Sequence, residues 1–112
     1  MELKIRKNEE IYIIDIIGEM DLYNSYKLKE VFMKMLEKKI EKIIINMEDV
    51  EYIDSSGIGA LIYITSTIKK INLRFAVANV HGSVKKVIDL TKLAGFFPIQ
   101  PNMEEAIKAM EA

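Results

Sequence analysis

The chain contains no cysteine and a single histidine. The first absence excludes disulfide frameworks, thiolate metal sites and cysteine nucleophiles together. The second leaves little for imidazole catalysis, because His81 has no evident second member of a triad. Net charge is nearly absent as well: 16 basic and 17 acidic residues give −1 overall. Nucleic acids and anionic membranes generally call for a basic face, so neither is expected as the main partner. The longest uncharged stretch runs only from Ser55 to Ile68, too short to cross a bilayer. The charged start, Met1-Glu2-Leu3-Lys4, does not read as a secretory signal, which makes the cytoplasm the expected compartment. No G-x-x-x-x-G-K-[ST] loop is present to hold nucleotide phosphates.

What is present suits one compact unit. Half of the 112 residues are hydrophobic, enough for one core and too few residues for two. Without repeats, low-complexity stretches or linkers, residues 1–112 read as a single domain. Leu3 to Lys7 alternates apolar and charged side chains, as a half-buried edge strand would. Turn residues at 8–10 precede a β-branched run from Ile11 to Ile17, expected to pair antiparallel and to end at Gly18. Leu28, Val31, Phe32, Met35 and Leu36 form one helical stripe, with Asn24 or Ser25 as the expected cap. Ile43 to Met47 fits a short central strand buried on both faces. A second helical stripe follows at Ile58, Leu61, Ile62, Thr65 and Ile68, broken by Asn72. Leu73 to Ala78 reads as a strand, Val84 to Thr91 as a helix, Phe97 to Ile99 as a brief edge strand, and Met103 to Met110 as a last helix. The order is β-β-α-β-α-β-α-(β)-α, which predicts an α/β fold with a mixed, mostly parallel sheet.

In such sheets, sites gather beyond the carboxyl ends of the parallel strands. Three segments are expected there: Gly18 to Asp21, a loop from Glu48 to Gly57, and Asn79 to Ser83. The second holds the sharpest motif, Asp54-Ser55-Ser56-Gly57-Ile58-Gly59. Glycines in a first helical turn cost up to about 1 kcal/mol each relative to alanine, so close approach of a backbone or a phosphate-bearing group is the natural reason for them. A helix start also tolerates negative charge. Against this stands the simpler reading that Ser56 caps its own helix, since serine and aspartate are common caps. Gly57-x-Gly59 is also the opening of a dinucleotide fingerprint, rejected because position 62 is isoleucine and no strand is expected to lead directly into it. Tyr63 and Ile64 fall off the buried stripe and are read either as partner surface or as packing under a neighbouring helix.

Gly18-Glu19-Met20-Asp21 resembles the G-E-x-D segment of STAS domains, and residues 54–59 resemble their D-S-S-G-x-G phosphorylation motif. The spacing and length are similar to those of stand-alone anti-sigma factor antagonists. The resemblance implies a STAS-like fold and a regulator rather than an enzyme, without cofactor or metal. It further implies that Ser56 is phosphorylated by a partner that is both a serine kinase and an anti-sigma factor. The unmodified protein binds that kinase and frees a sigma factor; phosphorylation reverses this until a serine phosphatase resets it. Asp21, Asp54, Ser55, Gly57, Ile58, Gly59 and Tyr63 join Ser56 as the expected partner-binding residues. Two alternatives remain: a scaffold STAS domain that is never phosphorylated, or a small nucleotide-binding enzyme using Asp21 and Asp54.

Overall fold

The computed structural model describes residues 1–111. Two strands open the chain, β1 (Glu2–Asn8) and β2 (Ile11–Met20), paired antiparallel. Then follow α1 (Tyr26–Glu37), β3 (Lys42–Ile53), α2 (Ser55–Ile71), β4 (Arg74–Ala78), α3 (Gly82–Leu90), β5 (Ile99–Gln100) and α4 (Met103–Glu111). A 3-10 turn at Ala94–Phe96 precedes β5. The five strands lie in sequence order, with β2 to β5 mutually parallel. This is the expected mixed α/β architecture. One face of the sheet packs with α1, α2 and α3 around Ile14, Phe32, Ile43, Ile45, Leu61 and Ile64. The other face meets α4 through Ile13, Ile44, Ala76, Ala106 and Met110. Strands buried on both faces need unbroken β-branched runs, which explains Ile43-Ile44-Ile45 in β3.

Several local expectations are corrected. The edge strand β1 is mostly exposed rather than half-buried, with Ile5 at 46%. Gly18 does not end β2; the strand continues to Met20, and Gly18 takes a φ of +99° that other residues rarely adopt. Neither Asn24 nor Ser25 caps α1 with its side chain. The Ser25 hydroxyl donates to the Asp21 carbonyl at 2.8 Å, and Asn24 Oδ1 accepts from the Asp21 N–H at 3.0 Å. Ile64 is fully buried, because α2 is covered over a wider arc than one stripe. Asn72 does end α2, in the left-handed conformation at φ 61°.

The largest correction concerns β3. Residues 48–53, expected as loop, are strand. The register shows why: from Asp15↔Asn46 to Ile17↔Asp49, and again from Gly18↔Val50 to Glu19↔Tyr52, β3 carries one more residue than β2. Two bulges therefore put the buried residues Val50 and Ile53 three apart instead of two, and the period-two signature disappears. The strand now leads straight through Asp54 into α2, so one ground for rejecting the dinucleotide fingerprint falls; Ile62 in place of glycine remains.

Candidate functional site

Beyond the carboxyl ends of β2 and β3, the first two expected segments meet. The Asp54 N–H donates to the Met20 carbonyl at 3.1 Å, stitching the end of one strand to the end of the next. Asp54 is extended and occupies the cap of α2. Its Oδ1 accepts from the backbone N–H groups of Ser56 at 2.8 Å and Gly57 at 3.3 Å. The cap is thus an aspartate and not Ser56, so the simpler reading of that serine does not hold. The hydroxyls of Ser55 and Ser56 make no hydrogen bond among the described residues; Ser55 is exposed and Ser56 half-buried.

The two glycines of the motif differ. A Cβ on Gly57 would lie 2.6 Å from Ile53 Cγ1 and 2.9 Å from both Met20 Cβ and the Met20 carbonyl oxygen. Gly57 is what allows the start of α2 to sit on the ends of β2 and β3. A Cβ on Gly59 would meet nothing within 4 Å. Gly57 and Ile58 are buried, so their surface is engaged inside this chain. Ser55, Ser56, Gly59 and Tyr63 remain on the outward side of α2, at the three- and four-residue spacings that place side chains on one helical face.

Asp21 is half-buried and organises its own turn, with Oδ1 accepting from the Tyr23 N–H at 2.9 Å. That turn carries an apolar tip absent from the expected site: Leu22 is 69% and Tyr23 83% exposed. The available signal was a leucine and a tyrosine between polar turn residues, Asp21-Leu22-Tyr23-Asn24. Tyr63 does not stand alone either. Its hydroxyl lies 3.4 Å from Met33 Sδ, and Lys29 Nζ lies 5.3 Å from its ring centroid, which joins the exposed faces of α1 and α2.

The third segment is bound back to the sheet. Asn79 Nδ2 donates to Asn46 Oδ1 at 2.9 Å, and Asn46 Nδ2 donates to Asp15 Oδ1 at 2.8 Å. Arg6 closes the line with two donors to Asp15, at 2.7 and 3.1 Å. Burial works to raise the Asp15 pKa, but the hydrogen bonds from Arg6 and Asn46 and the charges of Arg6 and Lys4 hold it below its ordinary value. His81 Nε2 donates to the Glu48 carbonyl at 2.7 Å, and Ser83 Oγ to the Glu51 carbonyl at 3.2 Å.

Residues 2–106 match the STAS domain family. The chain belongs to that family. A Thermotoga neapolitana STAS relative, provisionally named an anti-sigma factor antagonist, is 27% identical over 104 residues, with 92% of each chain covered. A similarly named protein of Thermotoga maritima has a crystal structure that superposes with a TM-score of 0.90 at 26% identity, covering 98% of this chain and 95% of that one. The anti-sigma factor antagonist SpoIIAA from Bacillus has the same fold at 21% identity. Its unphosphorylated form gives a TM-score of 0.74 with 99% of both chains covered, and its phosphorylated form 0.71 with 96% and 97%. Among the described residues, no helix of this STAS chain is long and apolar enough to cross a membrane.

Proposed function

We propose that this chain is an anti-sigma factor antagonist of the partner-switching type, acting in the cytoplasm as one STAS domain and not as an enzyme. Unmodified, it binds an anti-sigma factor that is also a serine kinase, and so releases a sigma factor. The kinase transfers the γ-phosphoryl group of ATP to Ser56 Oγ; the hydroxyl proton leaves, the β–γ bond breaks, and ADP departs. The partner is then released until a serine phosphatase hydrolyses the ester.

One observation carries this reading: Asp54 takes the capping role, leaving the Ser56 hydroxyl without an internal partner on a face shared with Ser55, Gly59 and Tyr63. The neighbouring apolar tip at Leu22 and Tyr23 supplies the kind of surface a protein partner desolvates. A phosphate on Ser56 would add a charge of about −1.5 to −2 there. The N–H groups of Ser56 and Gly57 are already engaged by the Asp54 carboxylate, so they would not neutralise that charge. Facing a desolvated partner, an unpaired charge of this size is strongly unfavourable. The nucleotide-enzyme alternative lacks comparable support, because Asp54 Oδ1 holds two backbone N–H groups and Asp21 Oδ1 holds one, each within its own turn.

Phosphopeptide mapping of the protein isolated from its source cell tests the assignment. Phosphate on Ser56 is expected. Phosphate on Ser55 alone, or on neither serine under conditions that silence the sigma factor, would overturn it. In pull-downs, Ser56→Ala should hold the partner in the presence of ATP while Ser56→Asp binds poorly.

A further inference from the structure

At the opposite end of the sheet from Ser56, α1 leaves part of β1 uncovered. Ile5, with Tyr12, Val31, Met35 and Ile40, lines a groove of about 230 Å³. Lys34 in the last turn of α1 and Lys38 at its carboxyl cap also line it. Past Tyr12, Lys38 and Ile40, which line both spaces, lies a second hollow of about 310 Å³. There Lys7, Lys39 and Lys42 join Lys38, opposed by Glu10 and Glu41. Lys42 is paired with Glu10 at 3.5 Å. Lys7, Lys34, Lys38 and Lys39 make no ion pair among the described residues.

Placement near the carboxyl end of α1 explains some of this positive charge, since lysines there complement the helix dipole. Lys7 on β1 lies with its Nζ 5.4 Å from the Tyr12 ring centroid, and Ile5 stays 46% exposed beside the apolar trough. Like charges at Lys34 and Lys38 repel mildly at this spacing, and neither lysine forms an ion pair with Glu30, Glu37 or Glu41 within 4 Å. The charged side chains of β1 discourage pairing of its edge with another strand, which disfavours a second copy as the occupant.

We infer that this groove binds a medium-chain carboxylate as a free monomer. The alkyl chain lies against Ile5, Val31 and Met35, and the carboxylate reaches Lys38 and the hollow that holds Lys7 and Lys39. The trough offers apolar contact from Ile5, Tyr12, Val31, Met35 and Ile40, and the lysines beside it supply the counter-charge. The inference is independent of the role proposed for Ser56.

The test titrates sodium octanoate, below its micelle concentration, into the full chain, followed by amide chemical shifts and calorimetry. Octanoate should shift amides of β1 and the second half of α1 and leave the start of α2 unchanged. Affinity should rise about fourfold per methylene from hexanoate to octanoate. Octylammonium should not bind. The pair Lys34→Glu and Lys38→Glu, both exposed and so compatible with folding, should weaken octanoate by about tenfold or more. Ile5→Lys should do the same from the apolar side. Equal binding of octylammonium, no dependence on chain length, or unchanged affinity in the lysine variant would overturn the inference. Retention on phosphatidylglycerol vesicles with no response to free octanoate would also overturn it, marking a membrane-facing patch instead.

Discussion

Gly57 and Gly59 sit two positions apart on one helix and answer to different neighbours. At Gly57 the neighbour is internal: a methyl group would have to displace Ile53 or the Met20 backbone. Gly57→Ala is expected to cost about 1–3 kcal/mol, the usual range for overpacking a tight contact, read from the urea midpoint. At Gly59 no atom of this chain stands in the way. Gly59→Ala should therefore raise stability by about 0.5–1 kcal/mol, since alanine is the better helix former and restricts the unfolded chain. If the outward face of α2 is where the partner docks, that same variant should be the poorer binder, in an affinity capture with the partner. Loss of stability at Gly59 would show that the glycine serves the fold. Two glycines in a first helical turn imply close approach at both, but the residues alone do not say what approaches each. That distinction depends on Met20 and Ile53, which come from two different strands.

Helix α2 depends on Asp54 for its start. Asp54→Ala should cost about 0.5–2 kcal/mol of stability, and Asp54→Asn or Asp54→Ser much less, because each keeps an acceptor for the N–H groups of Ser56 and Gly57. Thermal denaturation of the three variants checks that order. At this scale, elements with a clean period were legible. The stripe from Leu28 to Met35 and the Asn72 stop were plain in the sequence and are present as α1 and the end of α2. Elements whose period is interrupted were not. The bulges of β3 hid residues 48–53, and with them the fact that α2 follows the strand with only Asp54 between. Of the candidate site, the motif itself and the acidic position at Asp21 could be read from the chain. The roles within it could not: capping passes to Asp54 because its backbone is extended there, and no residue pattern records that angle. Leu22 and Tyr23 were missed because exposed apolar residues, taken singly, carry no signal.

Across the whole molecule, Arg6, Asp15 and Asn46 form a polar line over three adjacent strands, and Asn79, just beyond β4, ends it where the third loop begins. Because the Asp15 pKa is depressed in the folded state, its contribution is complete above the unfolded value near 3.9 and is lost as the pH falls through the lower folded value. Asp15→Asn should remove about 1 kcal/mol at neutral pH, a modest figure because Arg6 is solvent-exposed, and should flatten the acid limb of the stability profile. Urea titrations between neutral pH and pH 3 would show whether the two proteins converge as acid is added. The length of β3 has a further consequence for how the molecule behaves at high concentration. β4 pairs with β3 only as far as Asn46, so beyond that point β3 presents an edge of its own. The His81 and Ser83 side chains bond to the Glu48 and Glu51 carbonyls, closing positions that another strand would otherwise use. A His81→Ala, Ser83→Ala protein should therefore stay folded yet scatter light at concentrations where the parent remains clear, its copies joining edge to edge.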